Sequence, residues 1–74
     1  MAKYKYLVVV EKARGNYSAY VPDLPVCVTT GKTVAEIHNN TQEAIKLHLE
    51  GMRRSGEPIP VPAETTTEFV EVNV

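Results

Sequence analysis

The sequence predicts a small α+β domain with two layers, the element order β-β-β-α-β, and an antiparallel sheet that carries one long helix on one face. Three observations lead to this prediction. Segments rich in β-branched and aromatic residues occupy the first 30 positions, helical periodicity occupies residues 34–54, and strand-like alternation returns over Glu68–Val74. A chain of 74 residues holds one domain at most, which we take as residues 1–74.

Three strands are expected before the helix. Tyr4–Glu11 is the first, Tyr17–Val21 returns after the polar turn at 12–16, and Val26–Thr30 is the third. The prolines of the Pro22–Pro25 corner have no main-chain N–H, so they end the second strand and lead the chain into the third. Apolar residues on both faces of the first strand indicate that the face away from the helix meets a second copy or a partner.

The helix is expected from its caps and from its periodicity. Thr33 and Glu36 form a capping box at the start, and Arg53 and Arg54 place positive charge in the last turn before Gly56 stops the helix. Seven residues share the face expected to pack on the sheet: Val34, Ile37, Thr41, Ala44, Ile45, His48 and Met52.

The charges of the helix form the sharpest surface feature. Glu36, Glu43 and Glu50, which we call the acidic ridge, recur every seven residues away from the core face, and Leu47 lies off the core face as well. The ridge fits a strip that meets a basic partner, but it also fits a solvated face with ion pairs four residues apart, which is what most charged helix faces are. The formal net charge of −1 argues against a direct nucleic-acid binder.

Residues capable of catalysis or metal binding do not form a recognisable set. Cys27 lies in a strand pattern without a neighbouring base, and His38 and His48 are ten positions apart, which does not suit two ligands on one helix ridge. We therefore expect no catalytic, cofactor or metal site and no enzymatic activity. The longest apolar stretch, Leu7–Val10, is too short to span a bilayer, so we expect a cytoplasmic protein without a membrane partner.

A family resemblance extends over about residues 4–62. Its motifs are Gly15, Tyr20-Val21-Pro22-Asp23-Leu24-Pro25, Cys27, Gly31, Thr33, Glu36, Glu43-Ala44 and Gly56-Glu57-Pro58-Ile59-Pro60. In this combination they resemble HicB-like antitoxins of toxin-antitoxin systems. The chain departs from the pattern at Val26, where the family usually has glycine, at Lys32, where it usually has an acid, and at Ile37, where it often has alanine.

The resemblance implies a partial ribonuclease-H-like fold and a homo-oligomer, either a dimer or a tetramer. It also implies a domain that binds and blocks a small basic toxin that cleaves mRNA. The sequence resembles a short stand-alone member, because no helix-turn-helix or ribbon-helix-helix module follows the domain up to Val74. The residues that we expect at the partner interface are Tyr20, Pro22, Asp23, Leu24, Glu36, Glu43, Leu47 and Glu50.

Two alternatives to an antitoxin follow from the same sequence. The first is an oligomeric scaffold that has no toxin. The second is a weak nucleic-acid-binding module that uses the basic residues of the first half, namely Lys3, Lys5, Lys12 and Arg14.

Overall fold

The computed structural model describes residues 3–74, which contain three strands and one long helix. Their bounds are Val9–Ala13 for β1, Asn16–Tyr20 for β2, Val28–Gly31 for β3 and Val34–Arg54 for α1. The strands form an antiparallel sheet in the order β1-β2-β3, and α1 packs on β3 and β2. This architecture confirms the predicted α+β class, an antiparallel sheet with one long helix.

The strand register decides which face of the sheet the helix covers. One cross-strand row joins Val10, Ala19 and Thr29, and the row beside it joins Val9, Tyr20 and Val28. Because neighbouring positions on a strand point to opposite faces, these two rows lie on opposite sides of the sheet. Ala19 is buried, whereas Tyr20 and Val28 are exposed, so the helix covers the first row and leaves the second free.

The first strand is shorter than the pattern predicts, because it begins at Val9 rather than at Tyr4. The reason lies in its neighbour: β2 ends at Tyr20, opposite Val9, where the Pro22–Pro25 corner begins. Residues 3–8 continue beyond that point without a strand partner in the described part of the chain.

The predicted fourth strand over Glu68–Val74 is not formed, and this corrects the predicted element order. Residues 57–74 have no regular secondary structure, and residues 63–74 are exposed throughout. Two hydrogen bonds anchor the preceding segment: Tyr6 Oη donates to the Pro60 carbonyl at 2.5 Å, and the Ala63 N–H donates to Asp23 Oδ2 at 3.2 Å. Alternating sequence alone does not make a strand, because the strand needs a hydrogen-bonding neighbour.

The ends of α1 confirm the predicted caps. The Glu36 N–H donates to Thr33 Oγ1 at 3.0 Å, and the Glu36 carboxylate accepts from the Lys32 N–H at 3.3 Å. The carboxylate thus reaches one residue further back than a strict capping box requires. At the other end, Gly56 takes a φ of +74° just after the helix, a conformation that glycine adopts without steric cost.

The core is small and sits between the corner and the helix. Its buried cluster is Val21, Leu24 and Cys27, and the partly buried residues packed on it are Tyr6, Val8, Ala44, Ile45 and Leu49. Leu49 is outside the predicted helix face, and Val34, which is inside it, is 62% exposed. Val34 is exposed because α1 lies over β3 and β2, so that the side of the helix toward β1 is left uncovered.

Two close contacts fix the start of α1 against β3. A Cβ at Gly31 would lie 2.8 Å from the Ile37 nitrogen, so only glycine allows this approach of strand and helix. One turn later the hydroxyls of Thr29 and Thr41 hydrogen-bond at 2.6 Å, which satisfies the buried Thr41 side chain.

The residue before Cys27 has an unusual backbone. Val26 has a φ of +61°, and its side chain is 94% exposed. A β-branched residue is a steric outlier in this left-handed region, which glycine adopts without steric cost. The glycine expected here from the family resemblance would adopt this backbone without strain.

Candidate partner-binding surfaces

The Pro22–Pro25 corner brings together the first group of predicted partner residues. Tyr20 is 43% exposed and lies on the helix-free face, and Pro22 is exposed beside it. Asp23 is half-buried, with one carboxylate oxygen accepting from Ala63. The corner therefore presents Tyr20 and Pro22 outward, while the Asp23 carboxylate fastens the segment that follows the helix.

Leu24 requires a correction, because its side chain is only 2% exposed. It belongs to the buried cluster with Val21 and Cys27, so it is a core residue rather than a contact residue. The main chain explains the burial: the Leu24 N–H donates to the Val21 carbonyl at 3.0 Å, a tight turn that folds the side chain inward.

The helix carries the second group. Glu36, Glu43 and Glu50 are all exposed, and Leu47 is 59% exposed among them. Asn40 lies on the same side of the helix and donates from Nδ2 to the Thr30 carbonyl at 2.9 Å. This bond turns that side of α1 toward β3, the outer strand of the sheet, so the acidic ridge and Leu47 run outward along the β3 side of the molecule.

The two groups do not form one continuous site. Tyr20 faces away from the helix layer, whereas the acidic ridge lies on the outer side of that layer. The structure thus divides the predicted interface into two surfaces, one at the corner and one on the helix.

A third surface, which the sequence pattern does not predict, is a groove of about 570 Å³ between α1 and the segment 4–10. The residues that line it are Tyr4, Lys5, Tyr6, Val8, Val10, Val34, Ile37, His38, Thr41, Gln42 and Ile45. The signal was present in the sequence, because Tyr4, Tyr6, Val8 and Val10 alternate on one side of the first strand. The alternation does not show that this side of the first strand is left uncovered by every element of the described chain.

The titratable groups of the core favour structural roles. Burial raises the pKa of the Cys27 thiol, which keeps it protonated and unreactive near neutral pH. Burial also raises the pKa of the Tyr6 hydroxyl, with smaller contributions from Tyr4 and Asp23, so this hydroxyl remains a hydrogen-bond donor. Within residues 3–74, no group of three or more potential metal ligands comes together.

The helix found within residues 3–74 is not long and apolar enough to cross a bilayer. Three uncovered features mark the surface of residues 3–74: a half-covered sheet with two outer strands, an acidic helix side and an apolar groove. The chain is a small α+β domain whose uncovered apolar surface is of the kind that marks interaction sites in proteins.

Comparison with known families identifies the group. A model of the family described as HicB_like antitoxin of bacterial toxin-antitoxin system matches residues 6–72. The chain belongs to this HicB-like antitoxin family. The match includes the corner, the helix and most of the segment that follows it.

Several relatives support the assignment. A UPF0150 protein of Thermoplasma acidophilum is 42% identical over 57 residues, which are 76% of this chain and 83% of that protein. A UPF0150 protein of Synechocystis is 32% identical over 73 residues, 97% of this chain and 93% of that protein. A 14.9 kDa protein of Haemophilus phage HP1 is 40% identical over 55 residues, 74% of this chain but only 41% of the phage protein.

The fold also matches a solved structure. A chain of the HicA3 and HicB3 toxin-antitoxin complex superposes with a TM-score of 0.70 at 32% sequence identity, covering 81% of this chain and 70% of that one. That protein was solved as part of a toxin-antitoxin complex.

Proposed function

We propose that this chain is a non-catalytic antitoxin that neutralises a small basic mRNA-cleaving toxin by direct protein contact. The observation that carries the proposal is the likeness to a chain of the HicA3 and HicB3 complex at 32% identity, taken with an acidic ridge that is exposed along its whole length. In this proposal residues 1–74 act as one domain in the cytoplasm and need no cofactor.

The contact surface that we propose is the acidic ridge with Leu47 at its centre. Leu47 is a large apolar side chain that the fold leaves 59% exposed between Glu43 and Glu50. An apolar anchor with a glutamate on either side along the ridge suits a basic partner, because the anchor contributes affinity and the carboxylates speed association. Tyr20 and Pro22 form a separate surface, which we assign to the second copy in a homo-oligomer, a dimer or a tetramer.

The first test is an affinity capture of the tagged chain from its native cytoplasm at gentle salt. We expect a small basic protein to co-elute, and we expect it to cleave mRNA only after it has been separated from this chain. Recovery of the chain alone, or of a partner that has no ribonuclease activity when freed, would refute the proposal.

A charge-reversal pair tests the surface once that partner is available. Glu43→Lys with Glu50→Lys should weaken the complex at least tenfold and reduce its dependence on salt, because two attractive charges become repulsive. The matched control is Glu11→Lys with Glu57→Lys, which changes the net charge equally at exposed positions away from the ridge. Equal affinities for the two double variants would remove the acidic ridge from the interface.

The alternative of nucleic-acid binding gains little from the structure. Lys5 lines the apolar groove, whereas Arg14 lies in the hairpin loop between β1 and β2 at the other end of β1. Lys5 therefore lies apart from Arg14 and Lys32, which line a second pocket beside Glu36, so these basic residues do not form the one continuous surface that phosphate binding favours.

A further inference from the structure

The groove beside the segment 4–10 and the unpaired segment 68–74 are complementary. The segments 4–10 and 68–74 are both seven residues long, and in both of them apolar residues on one side alternate with residues that face the other side. Three valines share one side of the second segment: Val70 is 71% exposed, Val72 is 74% exposed and Val74 is fully exposed. Within residues 3–74, no strand lies along the open edge of the groove, and the segment 68–74 pairs with no sheet.

The chain exposes more surface than a compact folded monomer of the same mass. The accessible surface is 6443 Å², whereas a folded monomer of this mass exposes about 4,500 Å². The Cα radius of gyration is 14.3 Å, against about 11 Å for a compact chain of this length. The excess of roughly 1,900 Å² is comparable with the area that a stable protein interface buries.

The path of the chain after the helix favours the groove of a second copy. Tyr6 holds Pro60 and Asp23 holds Ala63, so the chain leaves the domain at the corner. To return to its own groove it would have to reverse within residues 64–67, Glu-Thr-Thr-Thr. This linker has no glycine, proline or asparagine, and its β-branched threonines favour extended backbone over a tight turn.

We propose that two copies of this chain exchange their C-terminal segments, so that residues 68–74 of each copy add a strand to the other along residues 4–10. The three valines then enter the groove between the first strand and α1, and they cover Val10 and Val34. Each copy gains the fourth strand that the alternating sequence encodes. The exchange is reciprocal, which gives a closed dimer with two equal interfaces.

The inference refines the proposed homo-oligomer and rests on it, but it does not depend on any toxin. It assigns a use to three features that the acidic ridge leaves unexplained: the apolar groove, the exposed valines and the unpaired edge of residues 3–8. It also provides a reason for the proline-rich segment, which keeps the linker extended and directed away from its own domain.

Cross-linking of the purified full chain distinguishes exchange from a segment that folds back. The variant carries Lys5→Cys and Glu71→Cys, two exposed positions that come to lie on neighbouring strands in either arrangement. A short bismaleimide is added to the native protein, and the products are separated under denaturing conditions. The unmodified chain, with its buried Cys27, serves as the blank.

We expect a covalent dimer from the double variant, and we expect the same dimer from a co-refolded equimolar mixture of the two single variants. A covalently closed monomer, or no cross-link at all, overturns the exchange. If native size measurements still show a dimer in that case, the homo-oligomer proposal survives while the exchange fails. The toxin proposal is untouched by either result.

A pair of point variants gives an independent readout. Val72→Asp places a carboxylate in the groove and should weaken dimerisation on the order of a hundredfold or more, because a buried charge without a partner is costly. Asn73→Asp adds the same charge one position along, on the side that faces solvent, and should leave dimerisation within about twofold of the unmodified chain. Analytical ultracentrifugation of both variants, with circular dichroism as a check on folding, measures the difference; equal dimerisation of the two variants contradicts the exchange.

Discussion

Replacement of Val26 by glycine should stabilise this protein, although the substitution removes a side chain. Val26 holds a φ of +61° and is 94% exposed, so it carries backbone strain and contributes almost nothing to the core. Left-handed backbone costs an L-residue roughly 1–2 kcal/mol, and more when the side chain is β-branched. Glycine relieves this cost, but it also gives the unfolded chain more conformational freedom, which lowers the stability by about 0.5–1 kcal/mol.

The expected net gain for Val26→Gly is about 1 kcal/mol in the free energy of unfolding. For a domain of this size it corresponds to a rise of about 4–8 °C in the midpoint of thermal unfolding. The assay is urea and thermal unfolding followed by far-UV circular dichroism. All samples must have the same chain concentration, because self-association makes the midpoint depend on concentration.

The matched control is Val28→Gly, the same chemical change two residues later. Val28 is also exposed, at 65%, but it lies in β3, where no left-handed backbone needs relief. The control should lose about 1 kcal/mol, because glycine is a poor strand residue. If Val26→Gly destabilises the protein as much as the control does, the argument from strain is refuted.

Four further predictions follow from single contacts and are measured by the same unfolding assays unless stated otherwise. Gly31→Ala should lower the free energy of unfolding by about 1–3 kcal/mol, because the added methyl group meets the helix backbone. Gly51→Ala, whose methyl group points into open space in α1, should raise it by about 1 kcal/mol. Equal effects of the two variants would contradict the close contact at Gly31. Thr33→Ala should lose about 1 kcal/mol with the helix cap, and an unchanged stability would show that the cap is dispensable. Tyr6→Phe should lose about 1 kcal/mol of stability with its hydrogen bond. Because the pKa of Tyr6 is raised in the folded state, the stability that its hydroxyl contributes is complete below about pH 10 and falls as pH rises through the folded pKa. The stability difference between the unmodified chain and the Phe variant should therefore shrink in alkali, and a constant difference would argue against this linkage. The Cys27 thiol should react with a thiol reagent far more slowly in the native protein than in urea, and equal rates would show that it is accessible.

Local signals in the sequence were sufficient for the elements that are stabilised by their own neighbours. The helix follows from the Thr33 cap and the charges of its last turn, and it ends at Arg54 as predicted, because a helix satisfies its hydrogen bonds within one segment. The hairpin and the corner follow from turn residues and prolines for the same reason. Most of the motifs that carry the family resemblance also lie in the turns, the caps and the corner.

Features that need two distant segments to meet were decided by the tertiary structure. The sequence predicts Leu24 as a contact residue because it lies between two prolines, but the turn at Val21 folds its side chain into the core. The register placed Tyr20 on the helix-free face, and the position of α1 over β3 and β2 exposed Val34 and opened the groove. Glu68–Val74 has the alternation of a strand but forms no strand in this structure. A strand needs hydrogen bonds to a neighbouring strand, and the sequence pattern does not show which chain supplies that neighbour.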